Sequence, residues 1–220
     1  MIDLRTVRHI VWDWNGTLLN DVDAGLNAVN RMLTARRIPP LTLTRYRAIF
    51  GFPVRDFYRK AGFILEREDW DAMAAEFHRL FLEDPTIRLH EDAAEWLRRI
   101  AECGIPQSLL SASEQSILTG MLDGYGLRPF FTHICGVDNL NGISKLDLGR
   151  RLVTAIGLPA DTILMIGDTL HDAEVADALG TRCLLIASGH QSLARLEASG
   201  REVIPSLSSL GESSAFCGQA

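Results

Sequence analysis

Two periods of hydrophobic and polar residues divide this chain. The first apolar run, His9-Ile10-Val11-Trp12, is short and rich in β-branched and aromatic residues. That composition predicts a strand buried on both faces, of the kind found inside a parallel sheet. It stops at Asp13 and the turn signal Asn15-Gly16. From 21 to 37 apolar residues recur at helical spacing (Val22, Leu26, Val29, Leu33), and Pro39-Pro40 ends the run. Shorter helical stretches are expected at 44–50 and 54–61. A longer one at 69–82 carries Trp70, Met73, Phe77 and Phe81 on one stripe. The segment 20–85 therefore reads as wholly helical.

Beyond Pro85 helices alternate with short apolar strands. Helices are expected at 91–103, 114–125, 146–156 and 172–179, and strands at 106–110, 132–135, 162–166 and 183–186. This alternation predicts right-handed β-α-β crossovers and an α/β fold, a doubly wound, Rossmann-like parallel sheet covered on both faces. Such sheets build their sites at the carboxyl ends of the strands. The positions there are Asp13, Ser111 and Asp168, with Lys145 in a loop before a helix.

Charge narrows the partners. The 220 residues hold 22 basic and 28 acidic side chains, a net charge of −6 with no basic block, which argues against nucleic acid or an anionic membrane. No apolar run approaches the roughly 20 residues that span a bilayer. The start of the chain has Asp3 and mixed polarity where a secretory signal needs an unbroken apolar stretch. Cys103, Cys135, Cys183 and Cys217 lie far apart without zinc spacing, and are expected as buried free thiols of a reducing cytoplasm. Lys60 and Lys145 are the only lysines among the basic residues.

The strand-end residues form a chemically coherent set. Asp13 and Asp168 offer oxygens to a hard divalent cation such as Mg2+. Ser111 brings a hydroxyl, Ala112 a neighbouring backbone N–H, and Lys145 a point charge. Together they describe a place for a phosphoryl group, whose transfer depends mainly on positioning and charge stabilisation.

Four segments, in order, carry a family resemblance. Asp13-Trp14-Asn15-Gly16-Thr17-Leu18 resembles the first motif of the haloacid dehalogenase (HAD) superfamily, where its phosphatases read D-x-D-x-T-L. Leu109-Leu110-Ser111 is similar to the second motif, Lys145 fits the third, and Gly167-Asp168-Thr169-Leu170-His171-Asp172 resembles the fourth. The helical segment between motifs one and two resembles the small cap of the phosphoglycolate-phosphatase-like branch. Gly51-Phe52-Pro53-Val54-Arg55 is similar to the cap loop that faces the active site there.

The resemblance implies a core made of 1–19 and 86–220 with a helical cap at 20–85. It implies Asp13 as the nucleophile that becomes an aspartyl phosphate, and Mg2+ held by Asp13, Asp168 and the main-chain carbonyl of Asn15. Ser111, Ala112 and Lys145 would bind the phosphoryl oxygens, and Asp172 would orient Lys145 or a metal-bound water. Arg55 is the expected contact for a distal anionic group, because a guanidinium binds carboxylates bidentately. The implied partner is a small phosphorylated metabolite, phosphoglycolate-like, handled by a monomer or homodimer.

Residue 15 departs from the pattern. The family's phosphatases carry a second aspartate there, which protonates the leaving oxygen and later activates water. The Asn15 amide cannot shuttle a proton near neutral pH, and general acid–base catalysis contributes about 10²–10⁴-fold. Three readings fit. The substrate has a good leaving group such as an acyl phosphate or anhydride; His171 or His190 supplies the proton; or the protein is a weak phosphatase, or binds phosphorylated ligands without turnover. Dehalogenases and phosphonatases, which cleave C–halogen and C–P bonds, also lack the second aspartate. Retention of Asp168, Asp172 and Thr17, and the absence of a lysine from the cap loop, favour the phosphatase.

Overall fold

The computed structural model describes residues 4–137 and 145–210. Strand β1 (His9–Trp12) lies in the middle of a six-stranded sheet with β4 (Gln107–Glu114), β5 (His133–Val137), β6 (Ile163–Gly167), β7 (Arg182–Ile186) and β8 (Glu202–Ile204). The order is β5-β4-β1-β6-β7-β8, and every neighbouring pair runs parallel. This is the expected doubly wound α/β arrangement. Helices α5 (Ala93–Glu102), α6 (Gln115–Gly124), α7 (Leu146–Ile156) and α8 (Leu170–Leu179) make the crossovers, and a short α9 (Leu193–Glu197) precedes β8.

Alternation along the strands explains why both faces are covered. Ile10 and Trp12 of β1, Leu109 of β4, and Leu164 and Ile166 of β6 enter one buried cluster. Val11, Leu110, Ile163 and Met165 enter a second, against Leu152 of α7 and Ala173 and Ala176 of α8. The run of four buried residues in β1 is thus one residue per face in turn.

Helices α1 (Val22–Ala35), α2 (Leu43–Ile49), α3 (Val54–Ala61) and α4 (Trp70–Leu82) occupy the inserted segment. Their apolar faces, including Met32, Leu33, Tyr46, Phe57 and Met73, join the same buried cluster as Ile10 and Trp12. The segment is not wholly helical at its edge. Asn20 belongs to β2 (Leu19–Asn20), which pairs antiparallel with β3 (Arg88–Leu89) and ties the two crossings of the chain together.

Two expected elements are longer than their sequence signals. β4 continues past Leu110 to Glu114, and its pairing jumps from Leu110–Cys135 to Glu114–Val137. Ser111 therefore lies inside an irregular strand, not just after a regular one. Gly136 faces this irregularity, and a Cβ there would stand 2.8 Å from the Ser113 carbonyl oxygen. Helix α8 begins at Leu170 instead of Asp172, because Thr169 caps it. Of the expected free thiols, Cys135 and Cys183 are free. Cys103 is instead disulfide-bonded, and Cys217 lies outside the described residues.

Candidate active site

Asp13 follows β1, and its N–H donates to the carbonyl of Ile166 on the neighbouring β6 at 2.8 Å. Asp168 follows β6 directly. Parallel pairing of the two strands thus sets two carboxylates side by side. Lys145, at the start of α7, reaches back across the strand ends. Its Nζ lies 2.6 Å from Asp13 Oδ1 and 2.6 Å from Asp172 Oδ1, and donates to the Leu110 carbonyl at 3.2 Å.

Asp172 does two things at once. Its Oδ2 accepts from the Thr169 N–H at 2.9 Å and from Thr169 Oγ1 at 2.7 Å, closing a capping box. Its other oxygen meets Lys145. The helix cap and the orientation of Lys145 are therefore one arrangement.

All four charged groups are buried: Asp13 is 7 % exposed, Asp168 0 %, Asp172 1 % and Lys145 2 %. Burial pushes the Asp13 carboxyl up to about 7, against the pull of Lys145. Burial, and then the negative charges of Asp13 and Asp172, hold Asp168 far above the usual carboxylate range despite nearby His190. Burial also opposes ionisation of Asp172, but the Lys145 ammonium and the Thr169 hydrogen bonds outweigh it and keep that group low. For Lys145, Asp13 and Asp172 outweigh burial and hold the ammonium charged.

One ammonium does not neutralise three carboxylates. Oxygens of Asp13, Asp168 and Asp172 lie within 4.8 Å of one another, and Asp168 Oδ1 is buried without a hydrogen-bond partner. An all-oxygen, net-negative set with an orphaned carboxylate oxygen fits a hard divalent cation. Gly16 (φ 72°) and Gly189 keep that pocket open, since a Cβ at either position would collide with the Asp168 side chain.

Asn15 is held on both sides. Its Nδ2 donates to Asp21 Oδ2 at 2.6 Å, and its Oδ1 accepts from Ser113 Oγ at 2.5 Å. Asp21 also accepts from the Gly16 N–H at 2.8 Å, and its Oδ1 stands 3.1 Å from His190 Nε2. His190 Nδ1 is 2.9 Å from the Tyr46 hydroxyl, and the His190 N–H donates to Asp168 at 2.6 Å. Burial disfavours the imidazolium, but Asp21 and Asp168 outweigh it and raise His190 to about 9. In that charged form both ring nitrogens donate, to Asp21 and to Tyr46.

Sequence signals do not mark Asp21 and Tyr46 as site residues. Asp21 stands where a helix cap is expected, yet its side chain makes no cap hydrogen bond to α1. Nothing local distinguishes such an aspartate from an ordinary cap.

Asp13, Asn15, Ala112, Lys145, Asp168, Asp172, His171 and His190 line one cavity of about 170 Å³. Two expected residues do not line it. Ser111 is buried behind it, with its Oγ accepting from the Ser113 N–H at 3.0 Å. Arg55 is exposed and lays its guanidinium 4.4 Å from the centre of the Trp70 ring. Helix α3 turns Phe57, Tyr58 and Ala61 inward, which leaves Arg55 on the outer face. Of the loop similar to the family's cap loop, Phe52 and Val54 do line the cavity.

A parallel sheet with buried aspartates after β1 and β6, and a lysine bridging Asp13 to Asp172, defines a class, and sequence comparison agrees with it. The chain belongs to the haloacid dehalogenase-like hydrolase family, whose model matches residues 10–186. Among curated relatives, a phosphoglycolate phosphatase of Caulobacter vibrioides is 27% identical over 82% of this chain and 79% of its own. One of Pseudomonas putida is 28% identical over 83% of this chain and 70% of its own. A haloacid dehalogenase-like hydrolase of Streptococcus pneumoniae shares the fold with a TM-score of 0.73 at 19% identity, covering 90% of this chain and 93% of that one.

Proposed function

We propose that this hydrolase is a magnesium-dependent phosphatase that cleaves a small phosphorylated metabolite through an aspartyl phosphate on Asp13. The observation that supports it most is the contact of Lys145 Nζ with Asp13 Oδ1 at 2.6 Å inside a buried cluster of three aspartates. Lys145 holds Asp13 in place and offers positive charge to the incoming phosphoryl group. Asp172 positions Lys145. The Ser111 hydroxyl and the Ala112 N–H complete the phosphoryl site on our reading, with Ser111 needing a side-chain turn away from Ser113.

Asp13, Asp168 and the main-chain carbonyl of Asn15 are the residues we assign to Mg2+, which when bound offsets negative charge on the phosphoryl oxygens. Residues 20–85 serve as the cap, which excludes water from the carboxylates, over a core of 1–19 and 86–220. The substrate class suggests the cytoplasm and a monomer or homodimer, and among the described residues no helix is long and apolar enough to cross a membrane. The names of the curated relatives make 2-phosphoglycolate the reference substrate.

The test is phosphate release with Mg2+ over a panel of phosphomonoesters, on wild type and Asp13→Asn. Turnover lost in the variant, with Mg2+-dependent ligand binding retained, supports the reading. Wild-type protein that binds phosphate esters with Mg2+ but releases nothing would overturn it in favour of a ligand binder.

A further inference from the structure

The cavity that Asp13 lines is rich in aromatic rings. Phe50, Phe52, Phe57, Trp70 and Phe77 line it, together with Ile117. Among the described residues no arginine lines it, and the one lining lysine, Lys145, is bound to Asp13 and Asp172. Arg55 lies outside over Trp70, and Arg47 donates to the Ser188 carbonyl at 3.1 Å. The lining histidines are largely engaged. His190 faces Asp21 and Tyr46, and His78 Nδ1 lies 2.7 Å from the Ala74 carbonyl oxygen. His171 packs on the Phe52 ring at 4.7 Å, and its buried Nε2 has no hydrogen-bond partner. A short carboxylated ester would place its carboxylate against aromatic rings with no guanidinium to receive it, which is costly.

We infer that the favoured substrate is a phosphomonoester of an aromatic alcohol, an aryl phosphate, with its ring in this apolar wall and its phosphoryl group at Asp13. The inference rests on the phosphatase reading above. An apolar cavity of about 150 Å³ accepts a benzene ring; the cavity here is about 170 Å³ in all, shared between the rings and the carboxylates, so a single ring is the largest apolar group it suits. Asn15 points the same way independently. Its amide, fixed between Asp21 and Ser113, cannot protonate a leaving oxygen. A phenol has a pKa of about 10, far below that of water at about 15.7, so a phenolate departs without that proton. In the first step the Asp13 carboxylate forms an O–P bond and the P–O(aryl) bond breaks, the electron pair leaving as phenolate, which takes a proton from solvent. Water then attacks phosphorus, the Asp13–phosphorus bond breaks, and the water proton goes to the phosphate released.

The test uses wild-type protein with Mg2+ and four esters: phenyl phosphate, benzyl phosphate, glycerol 3-phosphate and 2-phosphoglycolate. Benzyl phosphate keeps the ring but leaves as an alkoxide, so it separates binding from leaving-group chemistry. Phenyl and benzyl phosphate are expected to show KM values about 10- to 100-fold below the two ring-free esters, from transfer of one ring out of water. The kcat/KM for phenyl phosphate, which reports the first P–O cleavage, is expected to exceed that for benzyl phosphate by about 10²-fold or more, the scale of a missing general acid. A benzyl KM equal to or above that of glycerol 3-phosphate, or a preference for 2-phosphoglycolate in kcat/KM, overturns the inference. Equal kcat/KM for phenyl and benzyl phosphate overturns its leaving-group half and makes His171 the proton donor to examine. Failure to hydrolyse any of the four defeats the phosphatase reading instead. Calorimetric binding with Mg2+ then decides the cavity: tighter phenyl phosphate than 2-phosphoglycolate supports it, and the reverse or equality overturns it.

Discussion

Asn15 donates its side-chain N–H to Asp21 at 2.6 Å. The contact fixes an amide at the position where the family's phosphatases place an aspartate, and it makes residue 15 part of a network with Gly16 and His190. Asn15→Asp would put two carboxylates at hydrogen-bond distance, where like charges cannot both ionise and one pKa rises. The variant is expected to lose stability relative to wild type, more at pH 8 than at pH 5, because repulsion grows as the pair ionises. Thermal melts at the two pH values check this. The same variant is expected to raise kcat for alkyl phosphates while changing phenyl phosphate little, since a shared proton at residue 15 restores a donor.

Lys145 is the only cation that touches Asp13 and Asp172 among the described residues. Removing one partner of a buried ion pair typically costs about 3–5 kcal/mol. Lys145→Met is expected to lose stability on that scale in urea unfolding and to abolish turnover. Added Mg2+ is expected to recover part of the stability, because it supplies the missing positive charge. A variant as stable as wild type without metal would show that the carboxylates do not depend on Lys145.

The metal-free carboxylate cluster sets a pH dependence. Asp13 is raised to about 7 and Asp168 is raised as well, both by burial first. A carboxylate with a higher pKa folded than unfolded binds more protons in the folded state across that window, so stability falls as pH rises. For Asp13 the window runs from about 3.8 to about 7. Without metal, stability is expected to decline across it, and Asp168→Asn to be more stable than wild type at pH 7. With Mg2+ at about 100 times its Kd, wild type is expected to gain about 2.7 kcal/mol, and Asp168→Asn little. Melts in Mg2+ and in chelator, at both pH limits, measure the two effects.

Gly189 leaves no room for a side chain beside Asp168. Gly189→Ala is expected to displace the Asp168 carboxylate and to weaken Mg2+-dependent stabilisation at least about tenfold in apparent affinity, a difference of about 1.4 kcal/mol. Gly200→Ala, with φ 72° and nothing near its Cβ, is the control: it strains the backbone without touching the site. A metal titration followed by melting temperature separates them. Equal Mg2+ response in the two variants would place Asp168 outside the metal site.

Local signals located most of the framework. The expected helix at 54–61 agrees with α3 to the residue, because Pro53 starts it and Gly62 at φ 111° ends it. The helix at 146–156 agrees with α7 for the same kind of reason, with Gly157 at φ 68° as its stop. β8 was not anticipated. It is three residues, Glu202–Ile204, at the sheet edge and only partly buried, too short to show a period. The extension of β4 through Ser111 was equally hidden, since polar residues at an irregular strand end look like a loop.

The chain's own pattern determined where the carboxylates and the lysine stand: a parallel sheet puts the residue after each central strand at one edge, so apolar runs followed by Asp13 and Asp168 locate a site before any coordinates. What surrounds them was decided only in three dimensions. Periodicity reports which face of an element is buried, not what that face meets. The inward turn of Phe57 sent Arg55 outward to Trp70, and rings of α2 to α4 came to line the same cavity as Asp13. Asp21, which reads as a helix cap, became the partner of Asn15 and Gly16 nearby in the chain and of His190, 169 positions away, which the fold brings within 3.1 Å.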